Sequence, residues 1–389
     1  MKTYARDYTN DYDLDDPELS DNWDDIVADL HARCPIARSE AGEGYWVLNG
    51  HDDVSRCAKD WRTFTSRDGF IVNRPPGMPY FAPAEIDPPV QRGLRRVLEP
   101  FLRQQTVADL EPIVRQHANA LIDGFIADGR VEAVSAFANP LPQIVFSSAV
   151  AGMDPATMPE LLDDFSFVAP PVERAQGFQR GMQRIEAYLS ERRDEPARGD
   201  IVDALLAFEH PEFNWMDKVG TLCQLTIGGI GTTGFVFSGG LHHLATHCDD
   251  RQRLVAEPAS IPSAIEEFLR LYPGVANMAR SVAQDCDVNG QAFKRGDRVL
   301  LSFSAACRDP ALVDEPNLVK IDRGKINHLA FGAGVHRCIG EWLARVVLKS
   351  GYETFLERIP EFHVADNFVP RYETGNTRHM VELPLEFTR

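Results

Sequence analysis

The sequence lacks the features that mark secreted, disulfide-stapled and metal-cluster proteins. Its seven cysteines are scattered, with no C-x-x-C pair and no regular framework, which favours free thiols in a reducing compartment. The opening residues contain no apolar run of the kind that a secretory signal needs. We therefore expect a cytoplasmic protein. No linker, repeat or low-complexity tract divides the 389 residues, which predicts a single domain over residues 1–389.

Basic residues are also in short supply. The chain has 40 Lys and Arg against 58 Asp and Glu, a formal net charge of −18. Since nucleic-acid binding requires a basic face, this balance predicts that nucleic acid is not a partner. Many of the acidic residues lie within residues 1–22. Their composition predicts a solvated and partly frayed leader.

Only one long stretch carries no charge, from Val219 to Leu241. Its length could span a bilayer. However, it contains seven glycines and several Thr, Ser and Gln residues, and it has no basic flank on one side. We expect a buried helix in a protein that does not contact a membrane.

Helical periodicity dominates the rest of the chain, as in "DDIVADLHARC" and "PSAIEEFLRLY". Strand-like patterns are few, for example "GYWVLNG" and "HMVELPLEF". The sequence therefore predicts a mainly α fold with a small β portion. Residues 73–89 are too rich in proline for a helix. The apolar Phe81 makes that loop either a flap or a packed surface segment.

One cysteine has unusual surroundings. Cys338 stands in "HLAFGAGVHRCIGEWLARVVLK", where Gly332, Gly334 and Gly340 permit a tight loop and a helix follows directly. The helix N-terminus and loop amides are predicted to lower the pKa of the thiol. A thiolate held in this way suits an axial ligand of haem iron. A buried core cysteine is the alternative. A zinc site is not supported, because no further Cys or His ligands stand at zinc spacing.

The same segment carries the pattern F-x-x-G-x-x-x-C-x-G, as Phe331, Gly334, Cys338 and Gly340. It resembles the haem-binding loop of the cytochrome P450 monooxygenases, and His336 makes it most similar to soluble bacterial members. The resemblance implies a triangular helical prism with a long central helix over haem b. It also implies that Cys338 is the axial ligand of the haem iron.

Further matches extend the resemblance along the chain. Glu267 and Arg270 form an E-x-x-R pair on one helix face, and Arg323 matches the family's third member. The resemblance implies that these three residues lock the core under the haem. By themselves, Glu267 and Arg270 could equally form a surface salt bridge.

The segment "IDPPVQRGLRRVLEPFL" resembles the family's D-P-P-x-H-x-x-x-R pattern near the haem propionates. Arg95 matches the arginine, and Gln91 replaces the histidine. An amide brings a hydrogen-bond donor but no charge, so we expect weaker anchoring at Gln91. Arg280 and His336 match other propionate contacts of the family.

The stretch "IGGIGTTG" raises a question, because each glycine inside a helix costs about 0.5–1 kcal/mol relative to alanine. It resembles the family's A-G-x-(D/E)-T-T motif. That implies that Gly228 and Gly229 let the central helix break locally above the haem. Thr232 would guide protons to dioxygen there, with Thr233 as its neighbour. Close packing against another helix is the alternative explanation of the glycines.

Gly231 departs from the family motif, because an acid usually stands at this position. No carboxylate occurs from Val219 to Thr246, so we expect a different proton route. A water chain through a gap at Gly231 and Gly234 is our first hypothesis. A polar group on the substrate is the second, and poor coupling with loss of peroxide is the third.

No flavin or iron–sulfur segment is evident in the sequence. The resemblance therefore implies an external ferredoxin and ferredoxin reductase, serving a monomeric enzyme. A basic docking patch on the proximal face is expected, with scattered solvated charges as the alternative. Its candidate residues are Arg92, Arg95, Arg96, Arg103, Arg337, Arg345 and Lys349.

The expected activity is insertion of one oxygen atom from O2 into a small apolar molecule, a terpenoid or an aromatic, by hydroxylation or oxidative dealkylation. A haem-thiolate enzyme that uses peroxide or rearranges its substrate is the alternative, and a non-catalytic helper protein is the third hypothesis. The candidate pocket residues are Val275, Ala276, Asn277, Ile230 and Phe81, with residues 70–81, residues 163–178 and the pair Gly375 and Asn376 beside them.

Overall fold

The computed structural model describes residues 4–72, 74, 80–166 and 171–388. Residues 73 and 75–79 of the proline-dense loop lie outside this range, as do residues 167–170 of the candidate pocket segment and the side chain of Ile230. About 52% of the chain is helical, beside a small sheet portion. The predicted mainly α class is therefore confirmed.

The described residues form fifteen α-helices. They are α1 Pro17–Asp21, α2 Trp23–Arg33, α3 His51–Lys59, α4 Val90–Leu98, α5 Gln104–Ala108, α6 Glu111–Asp123, α7 Pro140–Ile144, α8 Met158–Asp164, α9 Pro171–Asp194, α10 Ile201–Ala207, α11 Trp215–Thr246, α12 Cys248–Ala256, α13 Ile261–Leu271, α14 Phe303–Ala306 and α15 Glu341–Arg358. Two π-helical segments, Val134–Ala138 and Val145–Val150, flank α7.

The strands are short and pair over long sequence distances. They are β1 Ile36–Ser39, β2 Tyr45–Leu48, β3 Phe64–Thr65, β4 Arg130–Glu132, β5 Asn277–Val282, β6 Cys286–Val288, β7 Gln291–Phe293, β8 Arg298–Ser302, β9 Phe362–Val364, β10 Tyr372–Glu373, β11 His379–Met380 and β12 Pro384–Phe387. The largest sheet has the order β1-β2-β8-β5-β3, and β4-β12-β9 form a second one. In the larger sheet, β2 and β8 run parallel.

The N-terminal acidic segment packs against the larger sheet. Tyr12 and Leu19 are buried in a cluster that also contains residues of β2 and β8. The Tyr12 N–H donates to the Arg38 carbonyl at 2.8 Å, and the Asp16 side chain caps α1. The predicted frayed leader is therefore wrong for residues 4–22. Its acidic residues are interleaved with aromatic and aliphatic side chains whose burial outweighs the charge.

The long helix α11 runs without interruption through the middle of the molecule. It starts with a capping box between Asn214 and Asp217. It is long and apolar enough to cross a membrane, yet 71% of its most apolar 18-residue window is buried inside the protein. This confirms a buried helix. The local break expected at Gly228 and Gly229 is not present, because the helix is continuous there.

Gly234 and Gly240 allow α11 to pack closely against its neighbours. A Cβ added at Gly240 would lie 2.8 Å from the Phe268 ring, and one at Gly234 would lie 2.9 Å from the Ala138 carbonyl oxygen. Only Gly228 among these three faces open space, with nothing within 4 Å. The packing alternative thus explains Gly234 and Gly240. The water gap expected at Gly234 is wrong, because Asn139 and Ala138 fill that space.

Candidate functional site

Cys338 lies on a tight loop between the turn Gly334–His336 and the start of α15. Its N–H donates to the Phe331 carbonyl at 2.8 Å. Gly334 has a φ of +70°, and a Cβ there would lie 2.7 Å from the Cα of Lys59. Glycine is therefore required at this point both by the backbone conformation and by the contact with α3. The Cys338 side chain is exposed to a cavity.

That cavity separates the cysteine loop and α15 from α11. It holds about 1420 Å³ of space free of protein atoms, including the part open to solvent. The walls are mainly apolar, and their polar side chains are those of Arg95, Gln224, Thr232, Thr233, Arg280, His336 and Cys338.

Three nitrogen-rich side chains face this cavity near the cysteine loop. Arg280 is 2% exposed, and burial lowers its pKa to about 10. Its Nη1 donates to the Ala279 carbonyl at 2.7 Å, and it forms no ion pair with any described residue. Arg95 donates to the Arg337 carbonyl at 2.8 Å. His336 Nε2 lies 2.9 Å from the Ser66 hydroxyl, while its Nδ1 is buried and has no hydrogen-bond partner among the described residues. A buried guanidinium of this kind calls for an anionic ligand.

Beneath the cysteine loop, Glu267, Arg270 and Arg323 form one buried network. Arg270 donates to both Glu267 carboxylate oxygens at 2.7 and 3.0 Å, and Arg323 donates to Glu267 at 3.1 Å. The Glu267 side chain is 2% exposed, so the surface salt-bridge alternative is excluded. Burial would raise the pKa of Glu267, but the hydrogen bonds and charge of Arg270 lower it below its usual value.

On the opposite wall, Gly228, Gly229, Thr232 and Thr233 line the cavity. The Thr232 hydroxyl donates to the Gly228 carbonyl at 2.5 Å. Gly274 packs tightly against this threonine, because a Cβ at Gly274 would lie 2.6 Å from the Cα and Cβ of Thr232. The motif thus meets the cysteine loop across one cavity.

A family model described as cytochrome P450 matches residues 158–367. The steroid C26-monooxygenase of Mycolicibacterium smegmatis is 31% identical to this chain and covers 92% of it, with 91% of that protein matched. The chain belongs to the cytochrome P450 family. The linalool 8-monooxygenase of Pseudomonas putida is 26% identical and matches 90% of this chain and 93% of its own length. The crystal structure of CYP101J2 is similar with a TM-score of 0.85, at 25% identity over 98% of both chains.

As a bacterial-type P450 monooxygenase, the protein is an oxidoreductase, and the family implies a haem cofactor. The residues at the cavity fit that group. Cys338 offers a sulfur ligand for the iron. Arg280 and the unpartnered Nδ1 of His336 provide the positive charge and the hydrogen-bonding capacity that the two carboxylates of a haem would use.

Two expectations about this P450 loop are wrong. Burial raises the pKa of Cys338, and the opposing hydrogen bond from the Gly340 N–H does not overcome it. The loop by itself therefore raises the pKa of the thiol, and a bound metal ion would lower it. Gln91 does not line the cavity. Its Nε2 instead donates to the Val335 carbonyl at 2.5 Å, and this hydrogen bond ties α4 to the cysteine loop.

Of the individually named pocket candidates whose side chains the structure describes, only Val275 lies on the cavity wall. The Ala276 N–H donates to Asn376, and Asn277 Nδ2 donates to the Gly375 carbonyl at 2.6 Å. Both residues therefore bind the backbone of the segment at Gly375 and Asn376. Phe81 packs between other phenylalanines, which supports the packed segment rather than the flap.

Several residues of the cavity wall were not predicted from the sequence. Phe146, Met278 and Phe303 line the P450 cavity, but their segments carry no motif. Gln224 could have been predicted as a cavity residue from the sequence. It precedes Gly228 by four residues and Thr232 by eight, and residues at these spacings lie on the same side of a helix. Gly231 is buried in α11 and is not among the lining residues.

The expected basic patch is mostly neutralised. Arg337 pairs with Glu341 at 2.7 Å, Arg345 with Glu266 at 2.8 Å, and Lys349 with Glu111 at 3.0 Å. Arg95 pairs with Glu99. Within the part of the chain that the structure describes, the candidate cations that stay exposed without an ion pair are Arg92, Arg96 and Arg103.

Proposed function

We propose that this P450 binds haem b and inserts one oxygen atom from O2 into a small apolar organic molecule, with electrons from an external ferredoxin. The observation that carries the proposal is the single cavity lined by Cys338 on one wall and by Gly228 and Thr232 on the other. When bound, the haem supplies the activation of dioxygen. The apolar walls of the cavity favour a terpenoid or aromatic substrate, as do relatives named for steroid and linalool oxidation.

The chain's own residues have distinct proposed tasks around that group. Cys338 holds the iron, with Phe331, Gly332 and Gly340 shaping the loop around it. Arg280, Arg95 and His336 bind the carboxylates at the haem edge, on the evidence of their burial and their place on the cavity wall. The network of Glu267, Arg270 and Arg323 keeps the loop region fixed beneath the site.

Proton supply is proposed to end at the Thr232 hydroxyl. This hydroxyl donates a hydrogen bond to the Gly228 carbonyl, which leaves its oxygen lone pairs free to accept a hydrogen bond from water. No carboxylate of α11 stands nearby, and the Gly234 side is closed by Asn139. Water must therefore reach Thr232 from the cavity itself. Gly231→Asp tests this route: unchanged coupling and rate would show that a nearby acid does not limit delivery.

Electrons are proposed to enter at the exposed cations Arg92, Arg96 and Arg103. They lie on α4 and the turn after it, and Arg95 on α4 contacts the cysteine loop. An acidic ferredoxin would complement this cluster on an otherwise acidic protein. Replacing all three by Gln should raise the KM for ferredoxin and weaken its dependence on salt.

The deciding experiment is turnover of the purified protein with a panel of terpenoids and substituted aromatics, driven either by ferredoxin and its reductase or by hydrogen peroxide. The proposal predicts oxygenated product with ferredoxin. Product with peroxide alone would favour the peroxide-using alternative. A protein that binds no haem would support the non-catalytic helper.

A further inference from the structure

Gln224 is a polar side chain on the cavity wall contributed by α11. It is half-buried, and it forms no hydrogen bond with any residue that the structure describes. Its neighbours on the wall include Leu225 and Gly228. An amide in such a place loses water when an apolar ligand fills the cavity, at a cost of roughly 1–3 kcal/mol if no partner replaces the water.

The helix spacing sets the position of this amide. Gln224 precedes Thr232 by eight residues, about 12 Å along the helix axis at 1.5 Å per residue. One turn before Gln224, Gly220 meets the backbone of Tyr80, whose carbonyl carbon would lie 3.4 Å from an added Cβ. The backbone at Tyr80 therefore packs against α11 one turn before Gln224. The amide stands near that contact, and Thr232 stands about two turns further along.

The charge of the surroundings limits what the amide could bind. Helix α11 has no Asp, Glu, Lys or Arg from Val219 to Thr246. The cations on the cavity wall, Arg95 and Arg280, are those that we assign to the haem carboxylates, so neither is left to bind a charged substrate. An amide without a charged neighbour on its own helix suits a neutral hydroxyl or carbonyl, since it both donates and accepts.

We propose that Gln224 is a substrate anchor, which hydrogen-bonds a neutral hydroxyl or carbonyl oxygen at one end of an apolar substrate. The carbon that is oxidised lies near Thr232, about 12 Å away along the helix. This inference rests on the proposed function and refines its substrate class. The substrate is an elongated apolar molecule that already carries one oxygen function far from the reacting carbon.

The test is a visible-absorbance titration of the ferric holoprotein with dodecan-1-ol, dodecane, hexan-1-ol and hexane. A ligand that displaces water from the iron shifts the main haem band. In the unaltered protein, dodecan-1-ol should bind roughly fivefold more tightly than dodecane, the value of one net hydrogen bond. Hexan-1-ol is too short to reach both ends and should show no such gain over hexane.

The Gln224→Leu variant keeps the side-chain size but removes the amide. Dodecan-1-ol should then lose its roughly fivefold advantage, while dodecane binds as before or more tightly. Gln252→Leu is the matched control, because Gln252 is exposed on α12, and it should leave both affinities unchanged. Equal affinities for the two twelve-carbon ligands in the unaltered protein would overturn the anchor.

An equal loss for both ligands in Gln224→Leu would also overturn it, because that result indicates a structural role for Gln224. Either result leaves the proposed function intact, since the haem band still responds to apolar ligands. A haem band that none of the ligands moves would instead contradict the proposed apolar substrate, and the anchor with it.

Discussion

The buried carboxylate of Glu267 accepts hydrogen bonds from the guanidinium groups of Arg270 and Arg323. Replacing it by Gln leaves the cation of Arg270 buried without a counter-charge. Breaking a buried pair in this way typically costs about 3–5 kcal/mol. We expect Glu267→Gln to lower the free energy of unfolding by about that amount, measured by urea unfolding of the haem-loaded protein.

The matched control is the exposed pair of Lys294 and Asp285, whose side chains are 73% and 61% exposed. Exposed pairs contribute little, so Asp285→Asn should change stability by less than about 1 kcal/mol. Equal effects of the two substitutions would show that the Glu267 network does not act as a buried ion cluster.

Gly274 is a residue whose importance comes from its contact with Thr232. An added methyl would lie 2.6 Å from the Thr232 Cα and Cβ, so α11 or the loop after α13 must move. We expect Gly274→Ala to keep the haem but to divert electrons from product to hydrogen peroxide. The measurement is the fraction of consumed electrons recovered in product.

Gly50→Ala is the control for that experiment, because a Cβ at Gly50 would meet its nearest atom at an ordinary 3.7 Å. It should leave coupling unchanged. If Gly274→Ala couples as well as the unaltered protein, then the position of Thr232 does not govern proton delivery.

Residues in motifs with fixed spacing could be predicted from the sequence. The grouping of Glu267 with Arg270 and Arg323 follows from such a pattern, as does the place of Cys338 on a glycine loop. Gln91 and Asn277 could not be predicted. Whether an amide faces a ligand or a backbone carbonyl depends on which distant segment folds over it, here Val335 and Gly375.

At the scale of elements, the glycines of α11 divide into two groups with opposite expected effects. Gly240→Ala forces a methyl against Phe268 and Tyr352, and overpacking of this kind costs about 1–3 kcal/mol. Gly228→Ala meets nothing within 4 Å and should stabilise the helix by about 0.5–1 kcal/mol. Urea unfolding of the two variants checks the signs. Equal destabilisation would contradict the packing account.

The long helices could be predicted from the hydrophobic periodicity of the sequence, but the segments around them could not. The π-helical segments Val134–Ala138 and Val145–Val150 supply Phe146 to the cavity wall. Their apolar sequence does not distinguish a buried α-helix from a wider turn. The parallel pairing of β2 with β8 joins residues about 250 positions apart, and no local pattern reports such a partner.

For the whole molecule, Glu266 links α13 to α15 and to the loop before Phe331, through Arg345 at 2.8 Å and His328 at 3.1 Å. Burial would raise its pKa, but the hydrogen bonds from His328 and Arg345 bring it down to about 2. A carboxyl with a lowered pKa stabilises the fold fully above its unfolded pKa. That contribution is lost as pH falls toward the folded value.

We therefore expect the unaltered protein to be more stable than Glu266→Gln by a constant margin above about pH 5. The margin should shrink steadily below that pH. Urea unfolding at several pH values between 3 and 7 measures it. Glu357→Gln, at an exposed position on α15, should show no comparable change. A margin that grows on acidification would contradict the assignment.

The amino-acid composition indicated the class of protein, but it did not predict how the N-terminal segment packs. The net charge of −18 suggested that residues 1–22 were solvated, whereas Tyr12 and Leu19 are buried against the sheet. The shape of the cavity could not be predicted from the sequence either, because α4, α11, α13 and α15, which enclose it, come from distant parts of the chain. A motif identifies one wall of such a site, and the fold supplies the others.

The central claim is that Cys338 holds a haem iron in this cavity. Its most direct test is the absorbance spectrum and haem content of the purified protein beside Cys338→Ala and Cys248→Ala, the latter a second free cysteine that is exposed. The account predicts about one haem per chain in the unaltered protein and in Cys248→Ala, and a lost or strongly altered haem band in Cys338→Ala. A haem spectrum that survives Cys338→Ala unchanged, or an unaltered protein without any haem band, would contradict it.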